Sequence, residues 1–162
     1  MIILGIDPGF ERLGIAILEK NKSEKKEKII FSECFKTSSK LDFSERLHLI
    51  GGRVKKIIKK YRPEILAIET LFLNTNQKTA MRVAEARGVI IYESVSAGLR
   101  TFEASPLEIK MAITSYGKAD KKQVLKMVKM LVAMDASKKS DDEMDAVAVA
   151  LTAFTRLPRS RF

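Results

Sequence analysis

Apolar residues along the chain fall into short runs that predict five β-strands. The first run, residues 2–7, is apolar except for its last residue, Asp7, and the turn pair Pro8-Gly9 follows it. This pattern is typical of a buried strand and the turn after it. The polar run over residues 20–28 predicts the connection between the second and third strands. The other four predicted strands are residues 13–18, 29–35, 65–69 and 101–104.

Apolar spacings of three and four predict an amphipathic helix from Phe43 to Tyr61, ended by Pro63. Inside it, Gly51-Gly52 predicts close packing against the sheet. A second helix, from about Gln77 to Ala97, has apolar residues on more than one face. This pattern predicts a helix that is buried on two sides, and a subunit partner could cover the second side. Three more helices are expected. The first starts at Pro106, the second is capped by Asp120 and runs to Met134, and the third is capped by Ser140 or Asp141 and ends near Arg156.

The order of elements predicts one mixed sheet. Three strands joined by hairpins, followed by strands joined by helical crossovers, give an α/β fold with five strands in the order β-β-β-α-β-α-β-α and helices on its faces. A length of 162 residues fits one domain over residues 1–162 with a single core. The last residues, about 157–162, are expected to form a flexible basic tail.

Composition narrows the class of protein. Hydrophobic residues make 46% and charged residues 31% of the chain, as in globular proteins. The single cysteine, Cys34, excludes an intramolecular disulfide and a multi-cysteine zinc site. No apolar run reaches the roughly 18–20 residues of a membrane span, and no basic region precedes the apolar N-terminus, so we expect a soluble cytoplasmic protein. The length also excludes two-lobed nucleotide-dependent proteins of the actin or sugar-kinase type.

Positive charge is concentrated in two stretches. The net charge is +10. Residues 53–62 carry six basic residues and no acidic one, and residues 110–139 carry eight lysines and two aspartates. Concentrated positive charge favours a polyanionic partner such as nucleic acid. Lysine-rich helix faces are also found simply solvated in heat-stable proteins, so the charge favours this partner without establishing it.

Four carboxylates lie where carboxylates are least expected. Asp7 and Glu69 end strands that are otherwise apolar, at the edge where mixed sheets place their sites. Asp142 and Asp145 are three residues apart on the last helix and so are neighbours on its surface. Clustered carboxylates need a cation to stay ionised, and oxygen ligands without histidine indicate Mg²⁺ or Mn²⁺. The pattern predicts hydrolysis of phosphodiesters by a metal-bound water.

Each acid also has a simpler interpretation. Asp7 before Pro-Gly is equally suited to starting a turn, and Glu69 could pair with a lysine. Asp142 could be a first-turn acid favoured by the helix dipole, like its neighbours in the sequence. Asp145 lies past the first turn beside an apolar face. The combination favours a site more than any member does, although the sequence alone does not show that the strands are neighbours.

Five blocks of sequence carry a resemblance to a known family. They are Gly5-Ile-Asp-Pro-Gly9, Ala67-Ile-Glu-Thr-Leu-Phe72, Asn76 through Thr79-Ala with Ala86-Arg-Gly-Val89, Gly117-Lys-Ala-Asp-Lys-Lys-Gln-Val124, and Asp142-Glu-Met-Asp-Ala-Val-Ala-Val-Ala150. In this order they resemble the RuvC Holliday-junction resolvases of bacteria, members of the RNase H-like superfamily, over nearly the whole chain. The chain departs from the usual family pattern at Leu13–Ala16 and at Ala84-Glu85.

The resemblance implies an RNase H-like fold and a homodimer that nicks two strands of like polarity in a four-way DNA junction. It implies that Asp7, Glu69, Asp142 and Asp145 are the catalytic and metal-binding residues, with two Mg²⁺ ions per active site and Mn²⁺ as a substitute. Asp141 has no counterpart in the family and is interpreted as a helix cap. The helix over residues 77–97 corresponds to the dimer helix of the family, and the RuvA–RuvB branch-migration complex is implied as a partner.

The resemblance also implies a set of DNA contacts. Phe72 matches an aromatic residue that contacts DNA near the junction centre, although a core phenylalanine is the alternative. Lys110 and Lys121 match lysines that meet the phosphates of the scissile strand, and Lys118 fills a position that is often basic. For these lysines the alternative is a solvated helix face.

Other functions and residue roles remain open at this point. The main alternative is an RNase H-like nuclease acting on RNA or an RNA–DNA hybrid. A catalytically silent nucleic-acid-binding protein is disfavoured because four acids do not help a surface to bind phosphates. A phosphate-binding ATPase half-domain is disfavoured by length. His48 and Cys34 are interpreted as structural residues, Cys34 as a small core residue.

Overall fold

Six strands and five helices make up the described part of the chain, which in the computed structural model comprises residues 1–21, 23–71, 77–134 and 139–157. The strands are β1 (Ile2–Asp7), β2 (Arg12–Glu19), β3 (Glu27–Lys36), β4 (Ile65–Glu69), β5 (Arg100–Ala104) and β6 (Val132–Ala133). The helices are α1 (Phe43–Tyr61), α2 (Gln77–Ser96), α3 (Pro106–Thr114), α4 (Lys121–Leu131) and α5 (Asp141–Arg156).

The strands form one mixed sheet with the order β5-β4-β1-β2-β3-β6. β1, β2 and β3 are antiparallel neighbours, as hairpin connections require. After helical crossovers, β4 runs parallel to β1 and β5 parallel to β4. The mixed α/β sheet predicted from the sequence is confirmed, with one strand more than expected.

The additional strand replaces the end of a predicted helix. The sequence predicts a helix that continues to Met134, but α4 ends at Leu131. Val132 and Ala133 instead pair in parallel with the beginning of β3, and Val132 is buried. Pairing and burial of a β-branched residue outweigh the local helical pattern here, so the helix prediction is wrong over these last residues.

The two faces of the sheet carry separate hydrophobic clusters. Side chains along a strand alternate between faces. In β1, Leu4 and Ile6 lie in the cluster that includes residues of α1 and α2, whereas Ile3 lies in the cluster built on α5. α5 crosses this second face with the continuous stretch from Ala146 to Ala153 buried. The alternation decides which polar side chains at the strand ends can reach α5.

α5 lies directly on the backbone of β1 and β2 at two glycines. A Cβ on Gly5 would lie 2.2 Å from the carbonyl oxygen of Ala146, and a Cβ on Gly14 would lie 2.1 Å from the carbonyl oxygen of Asp142. Any side chain at these positions would force the helix away from the sheet, because both contacts are with backbone atoms. The two glycines therefore set the distance between the start of α5 and the end of β1.

The glycine pair of α1 does not pack as predicted. A Cβ on Gly51 would lie 3.0 Å from Cγ1 of Val89 on α2, and a Cβ on Gly52 would have no atom within 4 Å. Gly51 therefore permits close packing of α1 against α2 rather than against the sheet. The expectation of sheet packing is wrong for both glycines.

Capping boxes begin α3, α4 and α5, and the N-caps are Ser105, Asp120 and Ser140. In α5 the backbone N–H of Glu143 donates to Ser140 Oγ at 3.3 Å, and the backbone N–H of Ser140 donates to Glu143 Oε2 at 2.8 Å. Asp141 is therefore the first residue of the helix, which corrects its interpretation as a cap.

Some predicted features lie outside the described residues. Phe72 falls among residues 72–76, and of the predicted basic tail only residue 157 is described. None of the helices in the described ranges combines the length and the apolar character needed to cross a membrane.

Candidate active site

Two of the predicted acids end neighbouring parallel strands. The register of β1 and β4 pairs Ile6 with Ile68, so the next residue of each strand, Asp7 and Glu69, lies at the same carboxyl edge of the sheet. Ile6 and Ile68 belong to the cluster under α1 and α2. Because side chains alternate, Asp7 and Glu69 point to the opposite face, which α5 covers.

The other two acids approach this edge from α5. Asp142 and Asp145 lie in its first two turns and are neighbours on the helix surface. The carbonyl oxygen of Asp142 occupies the space that a Cβ on Gly14 would need, and the Cβ of Asp7 lies 3.1 Å from the same point. The start of α5 is therefore directly against the end of β1, and the structure brings the four predicted acids together.

The acids interact strongly enough to change their pKa values. Burial, followed by repulsion from Asp145, Glu69 and Asp142, raises the pKa of Asp7 to about 7. Burial and the charge of Asp145 raise the pKa of Glu69. Burial also raises the pKa of Asp145, although Lys121 opposes this shift. Partly buried carboxylates that repel one another in this way are stabilised by a bound cation.

Two basic side chains hold the acids of α5. Arg12, the first residue of β2, donates from Nε to Asp142 Oδ2 at 3.0 Å and donates to the same oxygen from Nη2, which lowers the pKa of Asp142. Lys121, the first residue of α4, lies with Nζ 3.0 Å from Asp145 Oδ2 and 3.5 Å from Asp141 Oδ2. The helix acids therefore have cationic partners from two other elements.

β3 adds polar contacts to the start of α5. Sγ of Cys34 lies 3.4 Å from Asp142 Oδ2, and the hydroxyl of Ser32 donates to Glu143 Oε1 at 2.7 Å. Cys34 faces α5 because it pairs across the sheet with Gly14. The interpretation of Cys34 as a small core residue is wrong, since it is only half-buried and contacts one of the four acids.

Arg87 of α2 fixes the end of β4. Its Nε donates to the carbonyl oxygen of Glu69 at 3.0 Å, and its Nη2 pairs with Glu103 of β5. Backbone pairing continues just beyond the strand, where the N–H of Thr70 donates to the carbonyl oxygen of Ala104 at 2.9 Å. These contacts hold the backbone from which the Glu69 carboxylate projects.

A buried arginine supports the turn between β1 and β2. Arg46 of α1 is 4% exposed, and it donates to the carbonyl oxygen of Phe10 at 3.3 Å and to Thr37 Oγ1 at 2.8 Å. Its guanidinium carbon lies 4.8 Å from the centre of the Phe10 ring. The contacts fix the turn that separates Asp7 from Arg12.

The other predicted site residues do not touch the acids in the described ranges. Lys110 is half-buried on α3, and Lys118 is exposed in the turn before α4. Within the described residues, neither forms an ion pair with the four acids. Phe72 lies outside those residues, and His48 is exposed on α1.

Four side chains that contact the acids or their immediate surroundings were not predicted as site residues from the sequence, namely Arg12, Ser32, Cys34 and Arg87. A signal for Arg12 exists, because alternation along β2 places it on the same face as Gly14, the partner of Asp7. No equivalent signal identifies Cys34, since the pairing of β2 with β3 shifts register between Ile17 and Leu18. Such an irregularity is invisible in the pattern of apolar residues.

The donor set fits a hard divalent cation. The four acids offer carboxylate oxygens, which Mg²⁺ and Mn²⁺ prefer, and the raised pKa of Asp7 indicates that positive charge would stabilise the cluster. Within the described residues, no three acidic, histidine or cysteine side chains already converge closely enough to hold a metal ion. Arg12 holds one oxygen of Asp142 and Lys121 holds one oxygen of Asp145, so a metal ion that binds those oxygens would displace the two side chains.

The sequence matches known proteins along most of its length. Residues 3–153 match the family described as "Crossover junction endodeoxyribonuclease RuvC". A relative of that name from Caldanaerobacter subterraneus is 42% identical over 151 residues, which cover 93% of this chain and 90% of the relative. Another relative of that name, from Caldicellulosiruptor saccharolyticus, is 45% identical over 152 residues, which cover 93% of this chain and 90% of the relative.

Solved structures agree with the sequence match. The structure of T. thermophilus RuvC in complex with a Holliday junction substrate superposes with a TM-score of 0.88 at 29% identity, covering 95% of this chain and 93% of that chain. The yeast mitochondrial Holliday junction resolvase superposes with a TM-score of 0.71 at 15% identity, covering 95% of this chain and 77% of that chain. This similarity shows a shared fold. By sequence and by fold, the chain belongs to the RuvC family of crossover junction endodeoxyribonucleases.

Proposed function

We propose that this chain resolves four-way DNA junctions by metal-dependent hydrolysis of phosphodiester bonds in two strands of like polarity. The observation that carries the proposal is the gathering of Asp7, Glu69, Asp142 and Asp145 at one edge of the sheet. A surface that only binds phosphates gains nothing from four anions, whereas a nuclease needs them to hold cations. The T. thermophilus relative, whose structure contains a Holliday junction substrate, favours junction DNA over an RNA–DNA hybrid.

The four acids would hold two Mg²⁺ ions, or Mn²⁺ in their place. Bound metal would supply Lewis-acid activation of the scissile phosphate and of a water nucleophile. The contribution of the protein is to hold two acids on the rigid ends of β1 and β4 and two on the first turns of α5. Gly5 and Gly14 support this arrangement because they let α5 lie close to the sheet.

Lys121 is proposed to meet the phosphates of the scissile strand. It neutralises Asp145 in the free protein, and its side chain is exposed enough to turn toward DNA. Lys110 and Lys118 are proposed as further phosphate contacts on the same α3–α4 region. Phe72 is proposed, from the resemblance, to stack on a base near the junction centre for about 1–3 kcal/mol.

We also propose that the chain acts as a homodimer formed through α2. Met81, Tyr92 and Val95 are 67%, 69% and 55% exposed on this helix, although apolar side chains of this size are usually buried. Between them lie Ala84 and Gly88, whose small size permits close approach of a second helix. The exposed stripe fits the second buried side that the sequence pattern predicts. The RuvA–RuvB complex stays a predicted partner.

The experiment that tests the proposal uses four labelled nucleic acids: a mobile four-way junction, a linear duplex, a single strand and an RNA–DNA hybrid. Each is incubated with the protein in Mg²⁺ or in EDTA. We expect paired, ligatable nicks on the junction alone, lost in EDTA. Cutting of the hybrid in preference to the junction, or nicks that persist in EDTA, would contradict the proposal.

A further inference from the structure

Arg12 contacts the acidic cluster directly from the protein surface. Its side chain is 51% exposed, and both Nε and Nη2 donate to one oxygen, Oδ2 of Asp142. The same oxygen also accepts from the thiol of Cys34 at 3.4 Å. Three donors converge on this one carboxylate oxygen, so a cation that binds Asp142 through Oδ2, alone or together with Oδ1, would displace Arg12.

The displaced guanidinium would need another anion. Arginine keeps its proton under all ordinary conditions, and its planar set of donors matches a phosphate with two parallel hydrogen bonds. Arg12 stands at the beginning of β2, beside the edge where Asp7 and Asp142 meet. A nucleic-acid backbone that brings a phosphate to these acids would supply that anion within reach of a half-exposed side chain.

We propose that Arg12 exchanges between Asp142 in the free protein and a phosphate of the DNA strand to be cut, when a divalent cation binds Oδ2 of Asp142. This inference rests on the proposed function and deepens it by naming a further phosphate-binding residue. It makes Arg12 a competitor of the metal in the absence of DNA and a ligand of DNA in the presence of metal. Metal and junction then each favour binding of the other, as linkage requires.

The test is Arg12→Ala, measured in two separate binding experiments. In calorimetric titrations of the DNA-free protein with Mn²⁺, we expect the variant to bind metal about three- to tenfold more tightly, the range for losing a hydrogen-bonded charge pair that is partly exposed. In titrations of a labelled junction in Ca²⁺, with a gel of the same samples to verify that the junction is uncut, we expect weaker binding. The slope of log affinity against log salt should fall by about one.

Lys36→Ala provides the matched control. Lys36 pairs with Arg12 across the β2–β3 ladder and is exposed, and in the described residues it has no ion pair with Asp142. Its loss removes one neighbouring positive charge without touching the ligand. We expect this variant to change metal affinity by less than Arg12→Ala does. Arg12→Lys, which keeps the charge without the paired donors, should lie between wild type and Arg12→Ala and serves in its place if the alanine variant does not fold.

Three results would overturn the inference. Weaker metal binding by Arg12→Ala would mean that Arg12 orients Asp142 for the metal instead of competing with it. Unchanged metal and junction binding would mean a solvated ion pair. Equal effects of the Lys36 and Arg12 variants would mean a general electrostatic effect. Failure of the wild-type protein to bind or cut the junction would contradict the proposed function instead, and the metal titration would still report the competition at Asp142.

Discussion

Three of the four acids have raised pKa values, and Asp142 is the exception. Asp7 and Glu69, on the strands, have raised pKa values because they are buried near other carboxylates. Asp142, on α5, has a lowered pKa because Arg12 donates to it. The strand acids thus depend on an added cation more than Asp142 does, which makes them the sharper test of the site.

Asp7→Asn is expected to reduce cleavage to below about one per cent of the wild-type rate while leaving junction binding intact, because the change removes a metal-binding charge and keeps the shape. Above about pH 7, where Asp7 is ionised, it should also raise the thermal unfolding midpoint of the metal-free protein, since a carboxylate that is buried and repelled by three others is removed. Gel assays of nicking and a thermal melt in EDTA measure the two effects.

Asp141→Asn is the matched control for this prediction. Asp141 stands next to Asp142, but it is exposed and does not belong to the four acids. Its variant should cut at close to the wild-type rate. A normal rate for Asp7→Asn, or equal losses in the two variants, would contradict the assignment of the site.

Lys121→Ala is expected to slow cleavage about a hundredfold, because it removes a donor that lies against Asp145 and that is proposed to meet the scissile phosphate. It should also lower the salt slope of junction binding by about one. Lys122→Ala serves as the control, since Lys122 is the next residue of α4 and is exposed. Similar behaviour of the two variants would return Lys121 to the role of a solvated surface lysine.

The sequence pattern indicated the carboxylates at the ends of apolar strands, but it did not indicate which side chains contact the acids. Asp7 and Glu69 could be predicted because a carboxylate at the end of an apolar strand is conspicuous. Arg12 and Cys34 were missed because a polar residue near a strand end is ordinary until the register is known. The register depends on a turn and on a shift in β3 pairing, which local patterns do not encode.

Among the elements, α5 is essential to the site, because it places Asp142 and Asp145 at the edge of the sheet where Asp7 and Glu69 lie. Its position depends on the absence of side chains at Gly5 and Gly14. Its start is tied to β3 by the bond from Ser32 to Glu143, and its own capping box joins Glu143 to Ser140. The site is therefore a consequence of helix-on-sheet packing as much as of the acids themselves.

Gly14→Ala is expected to destabilise the protein by about 1–3 kcal/mol, since the new Cβ would overlap a backbone oxygen of α5. Urea unfolding measures this change. Cleavage by the folded variant should fall about a hundredfold, because displacing Asp142 by about 1 Å disturbs the site.

Gly52→Ala is the control for the glycine prediction. Gly52 is in α1, and its Cβ would meet no atom within 4 Å, so the alanine should be neutral or stabilise by up to about 1 kcal/mol. A Gly14→Ala protein as stable and as active as this control would show that α5 does not need the close contact.

The helices and strands were largely predictable from the sequence, and the errors in predicting them have one cause. Strands and helices with strong apolar periodicity were found near their observed bounds, including α1 at Phe43–Tyr61. The end of α4 was wrong because β6 forms only when Val132 reaches the beginning of β3. The glycine pair of α1 was misjudged because its neighbour is α2. Both depend on tertiary contacts between elements distant in sequence.

The described part of one copy holds one cluster of four acids, whereas symmetric nicking of two strands needs two. A two-fold dimer supplies the second cluster in a fixed relation to the first. α2 is suited to this role because it packs on α1 with one side and exposes Met81, Tyr92 and Val95 on the other. Dimerisation and activity are therefore expected to be lost together when this exposed side is blocked.

Gly88→Arg tests whether α2 forms the dimer interface, because Gly88 lies between the exposed residues Met81 and Tyr92. A Cβ on Gly88 would meet no atom within 4 Å in the single chain, so the arginine should leave the fold intact, whereas it would separate two helices packed through this point. We expect sedimentation analysis to give a dimer for the wild type and a monomer for the variant. Paired nicking should disappear in the same variant.

Gly52→Arg provides the matched control, because it places the same side chain on a glycine of α1 whose Cβ would likewise meet no atom within 4 Å. It should remain dimeric and nick both strands. A Gly88→Arg protein that stays dimeric would exclude α2 as the interface, since an arginine cannot be accommodated between closely packed helices. A variant that is monomeric yet makes paired nicks would show that the two cuts do not require two clusters held in one particle.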